Sequence, residues 1–195
     1  ESTRVLGTAA WELGLKVLNL LESPSPAEAI ASLIESMVAP EAIADFVGRL
    51  KSNWRLSNQL SGDIQWLLES VPILDRLPDL PWSVTQPLVT SNGFGMLYNL
   101  TAARWQANHR SLEPLQQLAS KRDLPADQLD PPPLITGDDL RQLGWCPGPK
   151  FRQTLREIRA AQLDGEISSH NDAIHRAQDI QRNSQMNAPD EDLNG

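Results

Sequence analysis

Between Leu6 and Ile180 the apolar residues of this chain recur at intervals of three and four, and no stretch alternates apolar with polar as a half-buried strand would. Such a chain buries its apolar stripes helix against helix. Leu6, Ala10, Leu13, Val17 and Leu20 make the first stripe, widened by Trp11 and Leu21, in a helix over 1–22. Ser25-Pro26-Ala27-Glu28 reads as a capping box with proline at the first helical position, opening a helix that runs to Val38. Ile43, Phe46, Val47 and Leu50 form a third face, and Leu60, Ile64, Leu67 and Val71 a fourth, capped by Ser57 or Asn58. Pro72, Pro78, Pro81 and Pro87 then break up long structure and leave room for one small helix near Ser83–Val89. After the Asn92-Gly93 turn, Phe94, Leu97, Tyr98, Thr101 and Trp105 share one helical register, and Leu112, Leu115 and Leu118 another. The expected fold is all-α, a multi-helix array of short, well-punctuated helices.

Punctuation also divides the chain. Residues 1–122 read as one helical region, and 123–133 as a proline-rich connector whose Asp130-Pro131-Pro132-Pro133 is extended and stiff. Residues 134–181 read as a second helical region. There Thr136 and Asp139 have capping-box spacing, predicting a helix over Gly137–Leu143 that Gly144 stops. Pro147-Gly148-Pro149 forces a turn, with Gly148 allowing close backbone approach, and a longer helix follows to Gly165. Ser169 and Asp172 cap a last helix carrying Ala173, Ile174, Ala177 and Ile180. The polar, acidic tail 182–195 is expected to be disordered.

The helix after Pro149 has two faces. Phe151, Leu155 and Ile158 line one, which must face a core; Arg152, Arg156 and Arg159 repeat the same spacing one position on, about 100° around the helix. With Lys150 and Arg141, five cations stand against the single acid Glu157 between Leu140 and Ala160, in a chain of formal net charge -8. Cations beside a helix N-terminus suit a phosphate backbone, although a solvated helix face carries such stripes too.

The run Ile135-Thr136-Gly137-Asp138-Asp139-Leu140, then Leu143-Gly144, Pro147-Gly148-Pro149, Leu155 and Leu163-Asp164-Gly165-Glu166-Ile167 resembles the C-terminal region of bacterial tRNA nucleotidyltransferases and their poly(A) polymerase relatives. Those enzymes add CCA or A residues to RNA 3′ ends. Upstream, Arg49-Leu50-Lys51, Arg55-Leu56-Ser57-Asn58 and Trp66-Leu67-Leu68-Glu69 are similar to the middle helical region of the same proteins. The resemblance implies helices of neck, body and tail that grip tRNA or another RNA 3′ end, with Arg141, Gly148, Lys150, Arg152, Arg156 and Arg159 as candidate RNA-binding residues. It implies RNA, not DNA, as partner. Many relatives carry a His-Asp metal pair where this chain has Glu35-Ser36, so no metal site is expected there, and none elsewhere. No glycine-rich nucleotide-binding turn and no paired aspartates after an apolar strand are present, so no catalytic residue is assigned. Magnesium and ATP or CTP are expected only for a catalytic head outside these residues. A first residue of Glu rather than Met points to sequence left out upstream.

Composition narrows the alternatives. The acidic balance opposes nonspecific nucleic-acid binding by the whole chain, so an RNA site must be local. Cys146, the only cysteine, cannot form an intramolecular disulfide, and the five-residue spacing of His170 and His175 does not suit a metal pair on one helix face. No apolar run approaches the roughly 20 residues of a membrane span, and a cytoplasmic protein is expected. Of six tryptophans, Trp54 and Trp145 lie beside basic residues and are the two candidates for stacking on bases. Two readings follow: the RNA-binding part of a nucleotidyltransferase-like protein, or a headless, non-catalytic helical module binding protein or RNA.

Overall fold

The computed structural model describes residues 2–186, with side chains from 9 to 183, and the described residues form helices and no strand. In chain order these are α1 (Ser2–Leu20), α2 (Pro26–Ile34), α3 (Ile43–Trp54), α4 (Asn58–Leu74), α5 (Trp82–Thr90), α6 (Phe94–Ala107), α7 (Glu113–Ser120), α8 (Ala126–Leu129), α9 (Gly137–Gln142), α10 (Pro149–Leu163) and α11 (His170–Met186). The architecture is all-α. The chain divides into two compact units: one holds everything up to Leu80 together with Pro87–Leu124, the other Pro81–Gln86 and the chain from Pro125 onward.

In the first unit α1 packs on α2 and α6, and α4 packs on α2, α3 and α6. Ile64, Leu67, Leu68, Val71 and Leu74 of α4, Leu97, Leu100 and Trp105 of α6, and Leu115 of α7 are all sealed from solvent. Ser25 and Glu28 close the expected capping box, with Glu28 N donating to Ser25 Oγ at 3.3 Å and Ser25 N to Glu28 Oε2 at 2.8 Å. Ser57 is the cap of α4.

Three expectations need correction here. Trp11 and Leu20 do not lie in the buried stripe of α1, being 43% and 41% exposed, whereas Val17 is buried. The reason lies at Gly14, where a Cβ would stand 2.8 Å from the carbonyl oxygen of Ser32. Close backbone approach there brings α1 against α2 at Gly14, and the buried side of the helix centres on Gly14 and Val17. Next, α2 stops at Ile34 and a 3-10 turn over Glu35–Met37 replaces its last residues. Finally, α4 runs through Pro72 to Leu74. Proline removes one backbone bond near the helix end, and the complete burial of Val71 and Leu74 offsets that loss.

Charge also enters this unit. Arg104 Nε lies 3.0 Å from Glu35 Oε2, and the same guanidinium is paired with Asp75. Asp75 accepts from Trp105 Nε1 at 3.1 Å, and Arg110 donates to the carbonyls of Asp75 and Leu77 while its guanidinium stacks 3.6 Å from the Trp105 ring centre. Burial raises the Glu35 pKa, and the facing Arg104 only partly offsets it. Burial alone would lower the Arg104 pKa, but its hydrogen bond to Asp75 and the charge of Glu35 outweigh that and raise it. Glu35 thus faces a guanidinium.

The second unit has a smaller interior, made of Ile135, Leu140, Phe151, Ile158, Ala173 and Ala177, with Leu134, Leu143, Trp145, Leu155, Ile167, Ile174 and Ile180 packed around it. Local devices fix its helix ends. Thr136 N donates to Asp139 Oδ2 at 2.7 Å and Asp139 N to Thr136 Oγ1 at 3.4 Å, completing the capping box of α9. Gly144 and Gly165 adopt φ of +84° and +77° and end α9 and α10, a conformation an L side chain resists. Asp172 accepts from the backbone N–H groups of Ser168 and Ser169 ahead of α11.

Within the 123–133 connector, Ala126–Leu129 make one helical turn ahead of Asp130–Pro133, with Gln128 N and Leu129 N both donating to the Pro125 carbonyl. One further expectation changes. The tail expected to lack structure from 182 is still helical to Met186, because no breaker precedes Pro189 and Arg182 pairs with Asp179 one turn back. Residues 187–195 lie outside the described residues.

Candidate nucleic-acid interface

α10 carries four of the six candidate residues. Its register is set by burial: Phe151, Thr154, Ile158 and Ala161 are buried, so Arg152 and Arg156 are exposed on the far side. Lys150 is exposed in the first turn, two residues before Arg152 and so on another side of the helix. Among the described residues the side chains of Lys150, Arg152 and Arg156 meet no protein anion. Glu157, in line with Gln153 and Lys150 rather than with the two arginines, accepts from Gln153 Nε2 at 2.8 Å.

Gly148 is the N-cap, with an extended φ of 169° and no side-chain cap bond to the first N–H groups of α10. A Cβ there would meet nothing within 4 Å, so no protein contact demands glycine at this point. Space stays open at the helix N-terminus, where unpaired N–H groups and the helix dipole favour an anion.

Arg159 and Arg141 are placed differently. Arg159 donates to Asp130 at 2.7 Å and to Gln162 Oε1 at 2.9 Å. Gln162 in turn donates to the Pro132 carbonyl at 2.8 Å and accepts from Leu134 N at 3.2 Å. Together they clasp the proline-rich segment to α10, and Gln86 adds a bond to Asp130 at 2.9 Å. Ser83 ties the other end of α10 through two bonds to the Asp164 carboxylate, 2.8 Å from N and 2.6 Å from Oγ. Arg141 is paired with Asp138 one turn back, and its guanidinium lies 5.9 Å from the Phe151 ring centre. The structure therefore leaves Arg152 and Arg156, one turn apart on one side of α10, and Lys150, on another side of its first turn, without an anion among the described residues, and employs Arg159 and Arg141 within the unit. The spacing of Asp138 and Arg141 was readable in the sequence; no periodic signal joins Arg159 to Asp130.

The two tryptophans beside basic residues also part company. Trp145 is half-buried against the core of the second unit, its Nε1 enclosed without a partner. Trp54, at the end of α3, is 63% exposed. Cys146 is exposed. Of the histidines, His170 Nδ1 is 2.8 Å from the Leu134 carbonyl, joining the start of α11 to the segment before α9. No group of three or more metal-ligating side chains occurs among the described residues, and no described helix is long and apolar enough to cross a membrane.

No family model matches the chain, and neither a curated protein nor a solved structure matches it.

Proposed function

We propose that this chain is the RNA-binding C-terminal part of a tRNA nucleotidyltransferase or poly(A) polymerase-like protein, and that it holds RNA through the exposed face of α10. The observation that carries the reading is the pair Arg152 and Arg156, one turn apart on the exposed side of α10, with Lys150 in the uncapped first turn, none of them meeting an anion among the described residues. Cations on a helix whose opposite face is packed are held at fixed spacing, which positions a phosphate backbone without reading its sequence. The Ile135–Leu140 motif packs on the buried side of α10 and Pro147–Pro149 leads into its start, and their resemblance to nucleotidyltransferases supplies RNA as the polyanion. Nucleotide addition, with its magnesium and ATP or CTP, belongs in this reading to a head outside these residues.

The test is tRNA affinity across a salt series for the wild type and for Lys150→Glu/Arg152→Glu/Arg156→Glu. Three lost phosphate contacts reduce the slope of log affinity against log salt by about 2–3 and weaken binding more than roughly tenfold at low salt. Reversing Glu12 or Glu69, which lie far from α10 in sequence, leaves binding undiminished. Equal affinity of wild type and triple variant at every salt concentration removes the RNA grip and leaves a helical module for another partner.

A further inference from the structure

Between Asp45 and Asp63 the chain has no acid and three cations, Arg49, Lys51 and Arg55, within a molecule of net charge -8. None of the three forms an ion pair or side-chain hydrogen bond among the described residues. In their midst Trp54 is 63% exposed, although Trp105 of the same unit is 1% exposed. Lys51 lies one helical turn before Trp54, so their side chains share one side of α3, and Arg55 follows Trp54 directly at the helix end. Ser52, Asn53 and Asn58 around them are exposed and polar. Arg55 itself is left-handed, at φ 54° and ψ 41°, and its N–H and that of Leu56 both close α3 on the Lys51 carbonyl. Glycine adopts that conformation more readily, yet an arginine stands there.

An exposed aromatic face flanked by unpaired cations has the two properties that single-stranded nucleic acid uses: a plane on which a base stacks, and positive charge for the phosphates on either side. A duplex offers no free base face. We infer that Trp54, with Lys51 and Arg55, is a stacking platform for an unpaired base of single-stranded RNA, a contact of the first unit additional to the phosphate grip on α10. The inference rests on the reading of this chain as RNA-binding, adding base stacking to phosphate contact.

The experiment uses the full chain, a labelled single-stranded oligoadenylate of twelve nucleotides, and a tRNA transcript. Trp54→Ala weakens oligoadenylate binding about five- to hundredfold, and Trp54→Phe retains most of the affinity, because stacking needs an aromatic plane. The salt slope is unchanged in Trp54→Ala and falls by roughly one to one and a half in Lys51→Gln/Arg55→Gln. Since Trp54 is exposed, both Trp54 variants keep the wild-type melting temperature, which circular dichroism checks. If Trp54→Ala binds oligoadenylate as the wild type does while the α10 triple variant loses tRNA, the platform is wrong and the α10 grip stands. Loss in Trp54→Ala with an unaffected triple variant keeps the platform and removes the grip. A wild-type chain with no affinity for either RNA overturns both.

Discussion

In the first unit the interior is built from bulky side chains, Leu67, Leu68, Val71, Leu97, Leu100 and Trp105, each no more than 2% exposed. The second unit has two alanines, Ala173 and Ala177, in a core completed by Ile135, Leu140, Phe151 and Ile158. Both cap helices locally, the first through Ser25 with Glu28 and through Ser57, the second through Thr136 with Asp139, Ser169 with Asp172 and the two left-handed glycines. They differ in how charge is used. In the first unit Arg104, Glu35 and Asp75, far apart in sequence, form a partly buried cluster between helices. In the second, Arg159 holds Asp130, while Arg152 and Arg156 on the exposed side of α10 meet no anion among the described residues. A charge enclosed by packing needs a partner, whereas one in water does not.

The strongest test of this contrast is at the cores. Phe151→Ala removes the one aromatic of the second unit's buried cluster and is expected to cost about 3–5 kcal/mol, while Leu67→Ala in the first costs about 2–5 kcal/mol. Denaturant titration of each variant checks this, and an unchanged midpoint for Phe151→Ala would mean that α10 turns its other face inward.

Arg104→Met comes next, at about 1–3 kcal/mol, because Glu35 loses its counter-charge and Asp75 keeps only Arg110, 3.7 Å away, in a partly open site. Its deficit has a definite pH dependence. Glu35 has a raised folded pKa, so stability falls as pH rises from its unfolded value through the folded one. Losing Arg104 raises that pKa further; the variant's deficit is therefore smaller in acid than at neutral pH. A deficit of the same size in acid and at neutral pH would show that Arg104 does not act through the charge of Glu35.

Thr136→Ala, which removes the cap of α9, is expected to cost about 0.5–2 kcal/mol. Its partner Asp139 has a pKa lowered by the backbone and side-chain hydrogen bonds from Thr136. A lowered folded pKa stabilises above the usual aspartate value, and the contribution is lost as pH falls through the folded pKa. Melting curves of wild type and Asp139→Asn therefore differ at neutral pH and converge in acid below the ordinary carboxylate range. Smallest is Arg141→Ala, at about 0–1 kcal/mol, since Arg141 and Asp138 are 58% and 79% exposed and water screens the pair. A larger loss would mean that the contact of Arg141 with the Phe151 ring, rather than the ion pair, matters.

Much of the second unit was legible in advance, down to the Thr136 cap, the Gly144 and Gly165 stops and the inward line of Phe151 and Ile158. In the first unit the helices were legible but not their rotations: Trp11 and Leu20 fit the period of a buried stripe and are exposed. At the candidate interface the sequence marked a basic stripe but could not tell Arg156, which is free, from Arg159, which holds Asp130.

By itself, then, the sequence determined where helices start and stop and which side of α10 is apolar, because capping and i to i+4 geometry act within a single turn of the chain. The tertiary structure decided which way α1 is rotated, which tryptophans are covered and which arginines keep their charge unspent. Those outcomes depend on residues such as Ser32, Asp75 and Asp130 arriving from distant parts of the chain, and packing alone determines which of them meet.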